Sequence, residues 1–182
     1  MAITGIRNGH HFATVNEKPS FHASENDKAS CHLEESRERV VQAVQGLTET
    51  QWKFKAAPDR WSIAEIVEHL ALVEDLFLER IVPRLCTGLE QVLDRDPPEA
   101  DSPQLKPVGR WTPADSLDRF LESRELTSLF FEAPPIALRQ LVLDHPELGP
   151  VDGYQLVALI AAHTTGLVKH IIGLKANCRF PA

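Results

Sequence analysis

The sequence predicts an all-α four-helix bundle, and three observations carry that reading. Apolar residues recur at three- and four-residue spacing in four separate stretches, the period of an amphipathic helix. Helix start signals open three of those stretches: Ser62-x-x-Glu65, Thr112-Pro113-x-Asp115 and Asp152-x-x-Gln155. A single tyrosine and few alternating β-branched runs leave little material for a sheet.

The first helix is expected over 33–47, with Leu33, Val40, Val41, Val44 and Leu47 on its apolar face. Glu34, Glu35 and Glu38 lie near its positive N-terminal end. Thr48-x-x-Gln51 then caps a short turn carrying Trp52. The second helix runs from about Ser62 to about Cys86, roughly 37 Å at 1.5 Å per residue, and Pro83 kinks or ends it. Prolines at Pro97, Pro98, Pro103 and Pro107, with Gly109, make 88–110 a long crossover rather than a tight hairpin. The third helix continues from Thr112 to about Phe131 and is expected to bury Leu117, Phe120, Leu121, Leu129 and Phe130. A second irregular stretch follows Pro134-Pro135, with a turn of helix near 136–141. The fourth helix, capped by Asp152, runs to about Ala176; its inward stripe reads Leu156, Ile160, His163, Leu167, His170, Ile171 and Leu174.

Residues 1–30 are polar and lack sustained periodicity, so they read as a loosely held extension ahead of a bundle domain over 31–182. His10, His11 and His22 invite a metal-binding reading, but a terminal polar segment accounts for them more simply. The net charge of −7 without a Lys/Arg cluster excludes nucleic acid as an expected partner. No apolar run approaches the roughly 20 residues of a membrane span, and the N-terminus carries no secretory pattern. Cys31, Cys86 and Cys178 form no C-x-x-C pair, which favours reduced thiols and a cytoplasmic location.

Chemistry concentrates on Trp61-Ser-Ile-Ala-Glu-Ile-Val-Glu-His69-Leu. His69 falls with Ile66, Val73 and Leu76 on the inward stripe, and a polar group there must find a partner or cost free energy. Three features carry a family resemblance: the Ala57-Pro58-Asp59-Arg60-Trp61-Ser62 entry to a helix ending in Glu68-His69-Leu70, the Asp144-His145-Pro146-Glu147-Leu148-Gly149-Pro150 stretch, and the Ala162-His163-Thr164 segment. In that order and spacing, residues 31–176 resemble the DinB-like family of four-helix bundles. The resemblance implies up-down-down-up topology and often a homodimer. It implies a divalent metal, zinc or nickel, held by one histidine of helix two and two of helix four. It also implies a small-molecule substrate, since some members are thiol-dependent transferases or amide hydrolases. The family's last helix usually reads His-x-x-x-His with Gln three residues on; here those positions are His163, Leu167 and His170.

Two repairs of the altered triad are open. His170 could join His69 and His163 as a metal ligand, although it lies about 10.5 Å along the helix from His163 and helical side chains lean toward the N-terminus. Glu65, one turn before His69, could supply a carboxylate, although its place in the capping box already gives it a task. The third outcome is that no tightly bound metal remains, with His69 and His163 bonded to each other or to a buried water. Three function classes follow. The first is a metal-dependent hydrolase or thiol transferase acting on a small molecule. The second is a non-catalytic bundle serving as a ligand binder or dimeric interaction module. The third, a thiol enzyme, is the weakest, because no histidine or acid is expected beside a cysteine at helical spacing. Trp52, Trp61 and Trp111 read as core plugs and loop anchors.

Overall fold

The computed structural model describes residues 21–83, 105–133, 137–145 and 148–182. Four long helices carry it: α1 (Phe21–Val44), α3 (Ile63–Leu76), α4 (Pro113–Glu132) and α5 (Gly153–Lys175), with a short α2 (Glu49–Trp52) between the first two. The helix starts are those written in the sequence. Ser62 and Glu65 close a reciprocal capping box on α3, as do Thr48 and Gln51 on α2 and Asp152 and Gln155 on α5. Thr112 caps α4, with Pro113 in its first turn. After α1 the chain turns at Gly46, whose φ of 72° is the left-handed conformation that favours glycine.

Side-chain contacts fix the helix directions. Glu68 bonds Val108–Arg110, Asp75 bonds Arg119 and Ser123, and Phe77 stacks on Phe131, so α3 and α4 run parallel. Ser36 meets Arg124 while Val40 shares a cluster with Phe120, so α1 opposes α4. Lys175 bonds the Ala43 carbonyl and Val157 packs in the cluster of Ala29 and Leu33, so α1 and α5 run together. The result is the up-down-down-up bundle.

Several elements differ from expectation. The helix expected over 33–47 begins at Phe21, because Ala29 continues the stripe of Leu33, Ser36 and Val40 into the core. Ahead of Pro83, α3 widens into a π turn over Phe77–Ile81; a proline ring displaces the carbonyl four residues earlier, and a wider turn accommodates it. The expected helix end near Cys86 and the crossover up to residue 104 lie outside the described residues. The irregular stretch before α5 holds a 3-10 turn, Leu138–Gln140, and an antiparallel pair, β1 (Val142–His145) with β2 (Gly149–Asp152). Gly153 must remain small there, since a Cβ would come within 2.8 Å of the Leu138 carbonyl oxygen.

The core has two apolar clusters. One gathers Val40, Ile63, Ile66, Leu70, Phe120, Leu167 and Ile171; the other gathers Leu33, Phe77, Phe131, Leu138, Val157 and Ile160. Between them lies a buried polar layer. Arg124 is fully buried and spends all five of its N–H donors: two on Glu74 Oε1 (2.9 and 2.5 Å), two on the Leu33 carbonyl and Ser36 Oγ (3.1 and 2.7 Å), and one on Thr164 Oγ1 (2.8 Å). Thr127 donates to the other Glu74 oxygen at 2.9 Å. All four long helices therefore meet at one satisfied ion pair. This explains why α4 buries Arg124 and Thr127, while Leu129, expected inside, is 55% exposed.

The α5 helix departs from the expectation that no segment could span a membrane. Its 23 residues, with mean hydropathy 1.5 in the most apolar window, are long and apolar enough by length and composition alone. In the bundle, Val157, Ile160, Leu167, Val168 and Ile171 turn that stripe into the core.

Candidate functional site

His69 is 3% exposed on α3, and one of its ring nitrogens is paired with the backbone. Its Nδ1 lies 2.8 Å from the carbonyl oxygen of Leu105. A carbonyl only accepts, so the proton sits on Nδ1 and the lone pair on Nε2. The neighbouring residue fixes that carbonyl in place. Glu68 is also buried, and its carboxylate accepts from the backbone N–H groups of Val108, Gly109 and Arg110 at 3.0, 2.8 and 3.1 Å, with the Arg110 guanidinium at 3.3 Å. Gly109, at φ 73°, supplies the turn that aims three consecutive N–H groups at one carboxylate. Glu68 and His69 thus clamp the incoming crossover together, and the clamp sets the imidazole's tautomer and orientation.

Two rings complete the surroundings. Trp61 packs on His69 with ring centroids 4.8 Å apart, and His163 presents its ring edgewise at 5.4 Å. Of the expected α5 stripe, Ile160, Leu167 and Ile171 are buried, joined by Val157, Ala161, Thr164 and Val168, while His163 and His170 stand exposed on the flank. Burial holds the His69 pKa below the ordinary imidazole value, against an opposing pull from the Leu105 carbonyl. His163 keeps one side open to solvent. On the other side, desolvation, then the neighbouring His69 and the Arg124 guanidinium, push its pKa down to about 4. At neutral pH both rings are uncharged, the form that binds metal.

His170 lies elsewhere. It lines a cleft of about 500 Å³ with Trp61, Ile66, Leu167 and Leu174, between the α2–α3 loop, the start of α3 and the end of α5. Leu167 is buried in the apolar cluster. Glu65 is committed: Oε2 accepts from the Ser62 N–H and hydroxyl at 2.7 and 2.8 Å, and Oε1 from Lys55 at 2.7 Å. Burial raises its pKa, but the bonds from Lys55 and Ser62 outweigh that and hold it low. Among the described residues, no three His, Cys, Asp or Glu side chains are grouped closely enough to hold an ion. The donor chemistry therefore fits a two-imidazole anchor, with one imidazole already oriented, and falls short of a complete protein-only site.

The expectation of no acid at helical spacing from a cysteine fails at Glu35, four residues after Cys31. Cys31 bonds Glu35, and that bond and charge raise its pKa; Cys178 is an exposed free thiol. Cys86 and the side chain of His145 lie outside the described residues. The Leu105 carbonyl and the Glu68 clamp were missed by sequence reasoning. The adjacent pair Glu68-His69, with a glycine in the crossover, was the available signal.

The fold is a four-helix bundle with parallel middle helices and a histidine pair between α3 and α5. The model of the DinB superfamily matches residues 32–166, and the chain belongs to that superfamily. No curated protein matches the chain. Among solved structures it is similar to YfiT from Bacillus subtilis, with a TM-score of 0.61 and 19% identity over 90% of this chain and 91% of that one. YfiT is described as "a probable metal-dependent hydrolase with an unusual four-helix bundle topology".

Proposed function

We propose that this protein is a metal-dependent hydrolase of a small molecule whose protein ligands are reduced to His69 Nε2 and His163. The observation that carries the reading is the His69–Leu105 bond. It locks one imidazole with its lone pair free, and the second neutral imidazole stands beside it. Metal-ligating histidines characteristically donate their other ring N–H to a carbonyl or carboxylate in this way. The description of YfiT supports the same class. A bound zinc or nickel ion would act as a Lewis acid and lower the pKa of a bound water. The chain's own residues hold the site around it: Glu68 fixes the crossover, Leu105 fixes the tautomer, and Trp61 shields the His69 ring. His170 faces the cleft and is assigned to ligand contact there.

Tag-free protein, stripped with chelator and titrated calorimetrically with zinc or nickel, tests the reading. Binding in the micromolar range is expected, with loss in His69→Ala and in His163→Ala. Unchanged binding in both variants would remove the anchor from consideration. Hydrolysis of a chromogenic ester or amide should then follow metal content.

A second reading is favoured by Leu167, which replaces a donor with core packing. In it, the bundle binds a small ligand without a metal. Absence of metal binding up to millimolar concentration would select it.

A further inference from the structure

We propose that the cleft beside Trp61 is a binding site for a small organic anion with an apolar, preferably aromatic, body. This site adjoins the histidine anchor across Trp61 and does not depend on a metal. Its volume of about 500 Å³ falls within the roughly 300–1,000 Å³ typical of small-molecule sites. The walls are two-natured. Trp61, Ile66, Leu167 and Leu174 supply apolar and aromatic surface, while Arg60, Lys169 and His170 supply cationic and hydrogen-bonding groups.

Charge selects the ligand's sign. The chain carries a net charge of −7, yet this cleft brings two full cations to an apolar surface against the single carboxylate of Asp59. The Arg60 and Lys169 side chains have no ion-pair partner among the described residues, whereas most other described arginines and lysines of the bundle are paired with acids or carbonyls. Two unpaired cations beside an aromatic wall match an anionic head and a flat body. Trp61 is the shared partition: one contact is with His69, and the same residue lines the cleft. A ligand seated there therefore lies one side chain away from the histidine pair. Leu167 acquires a positive role as cleft wall.

Gly173 provides a clean test. It lines the cleft, and a Cβ built on it meets nothing within 4 Å, so a side chain there enters open space. Gly173→Leu should fill the cleft, and exchanging a helix-interior glycine for leucine favours the helix. The experiment is calorimetric titration of the full chain with 2-naphthoate, 2-naphthylmethanol and 2-naphthylmethylammonium, all in the presence of EDTA. The chelator separates this outcome from that of the metal site. The carboxylate is expected to bind about five-fold or more tightly than the alcohol, the sum of two exposed charge contacts, with the ammonium weakest. Arg60→Gln and Lys169→Gln, both at exposed positions, should each reduce that preference. Gly173→Leu should abolish binding while leaving Tm unchanged or raised. Equal affinity for carboxylate and alcohol, carboxylate binding unaffected by Gly173→Leu, or no binding by any of the three would overturn the proposal.

Discussion

Substituting Leu167 with histidine introduces a donor one helical turn from His163, with consequences that follow from its burial. Leu167 is 7% exposed and belongs to the apolar cluster with Ile66, Val168 and Ile171. Losing its burial should cost about 2–5 kcal/mol, the range for truncating a buried leucine. At about 2–4 °C per kcal/mol for a chain of this size, the metal-free variant should melt about 4–20 °C below the parent. A third imidazole four residues from His163 lies about 6 Å along the helix, close enough to share an ion with it. Zinc at 100 times its dissociation constant should then return about 2.7 kcal/mol, or roughly 5–11 °C. The assay is thermal denaturation of parent and Leu167→His with EDTA or with graded zinc. The variant should show the lower Tm in EDTA and the larger rise with zinc, and adding His163→Ala should remove that rise. A variant whose Tm responds to zinc no more than the parent's would refute the two-imidazole anchor.

Other predictions follow from the same geometry. Arg124→Met leaves Glu74 buried without its counter-charge and should cost about 3–5 kcal/mol in urea unfolding; adding Glu74→Leu should recover most of the loss, because the pair goes together. Glu68→Gln cannot accept all three crossover N–H groups, so amide exchange at Val108–Arg110 should accelerate and metal affinity fall by about 10- to 100-fold through the loosened Leu105 contact. The depressed pKa values of His69 and His163 mean that the unfolded chain protonates first as pH falls. Their contribution should be complete above about pH 6.5 and drain toward pH 4, and replacing both with glutamine should flatten the urea midpoint over that window. An unchanged slope in the double variant would count against the assigned environments.

The helix starts were legible in the sequence because each is a local device. The Ser62, Thr112 and Asp152 caps involve residues three apart and need no tertiary context. The inward face of α4 was legible only in part: Phe120 is buried as expected, and Leu117, Leu121 and Phe130 pack partly buried against the core. A hydrophobic stripe read from composition favours Leu129 over Thr127, and only the Glu74 carboxylate on another helix makes Arg124 and Thr127 core residues. The same reasoning applies to α5, where Thr164 replaces His163 on the buried face because it answers Arg124. The early start of α1 was hidden by its polar residues, since Ala29 is a weak apolar signal until Phe131 and Leu138 gather around it. The β1–β2 pair was hidden by the prolines around it. His69 was identified as a buried polar residue in need of a partner, and the partner came from a backbone carbonyl 36 positions away, where no side-chain pattern could reveal it.

In the proposed anchor, His69 carries its proton on Nδ1 and offers Nε2, together with His163, to an ion. Long-range proton–nitrogen spectra of protein labelled with ¹⁵N-histidine, recorded at pH 7 with and without stoichiometric zinc, test it most directly. The Nδ1–H tautomer is expected for His69 before zinc, then zinc-induced shifts of the His69 Nε2 and His163 signals with His170 unmoved. A His69 protonated on Nε2, or zinc shifts confined to His170 or to neither member of the pair, would contradict it.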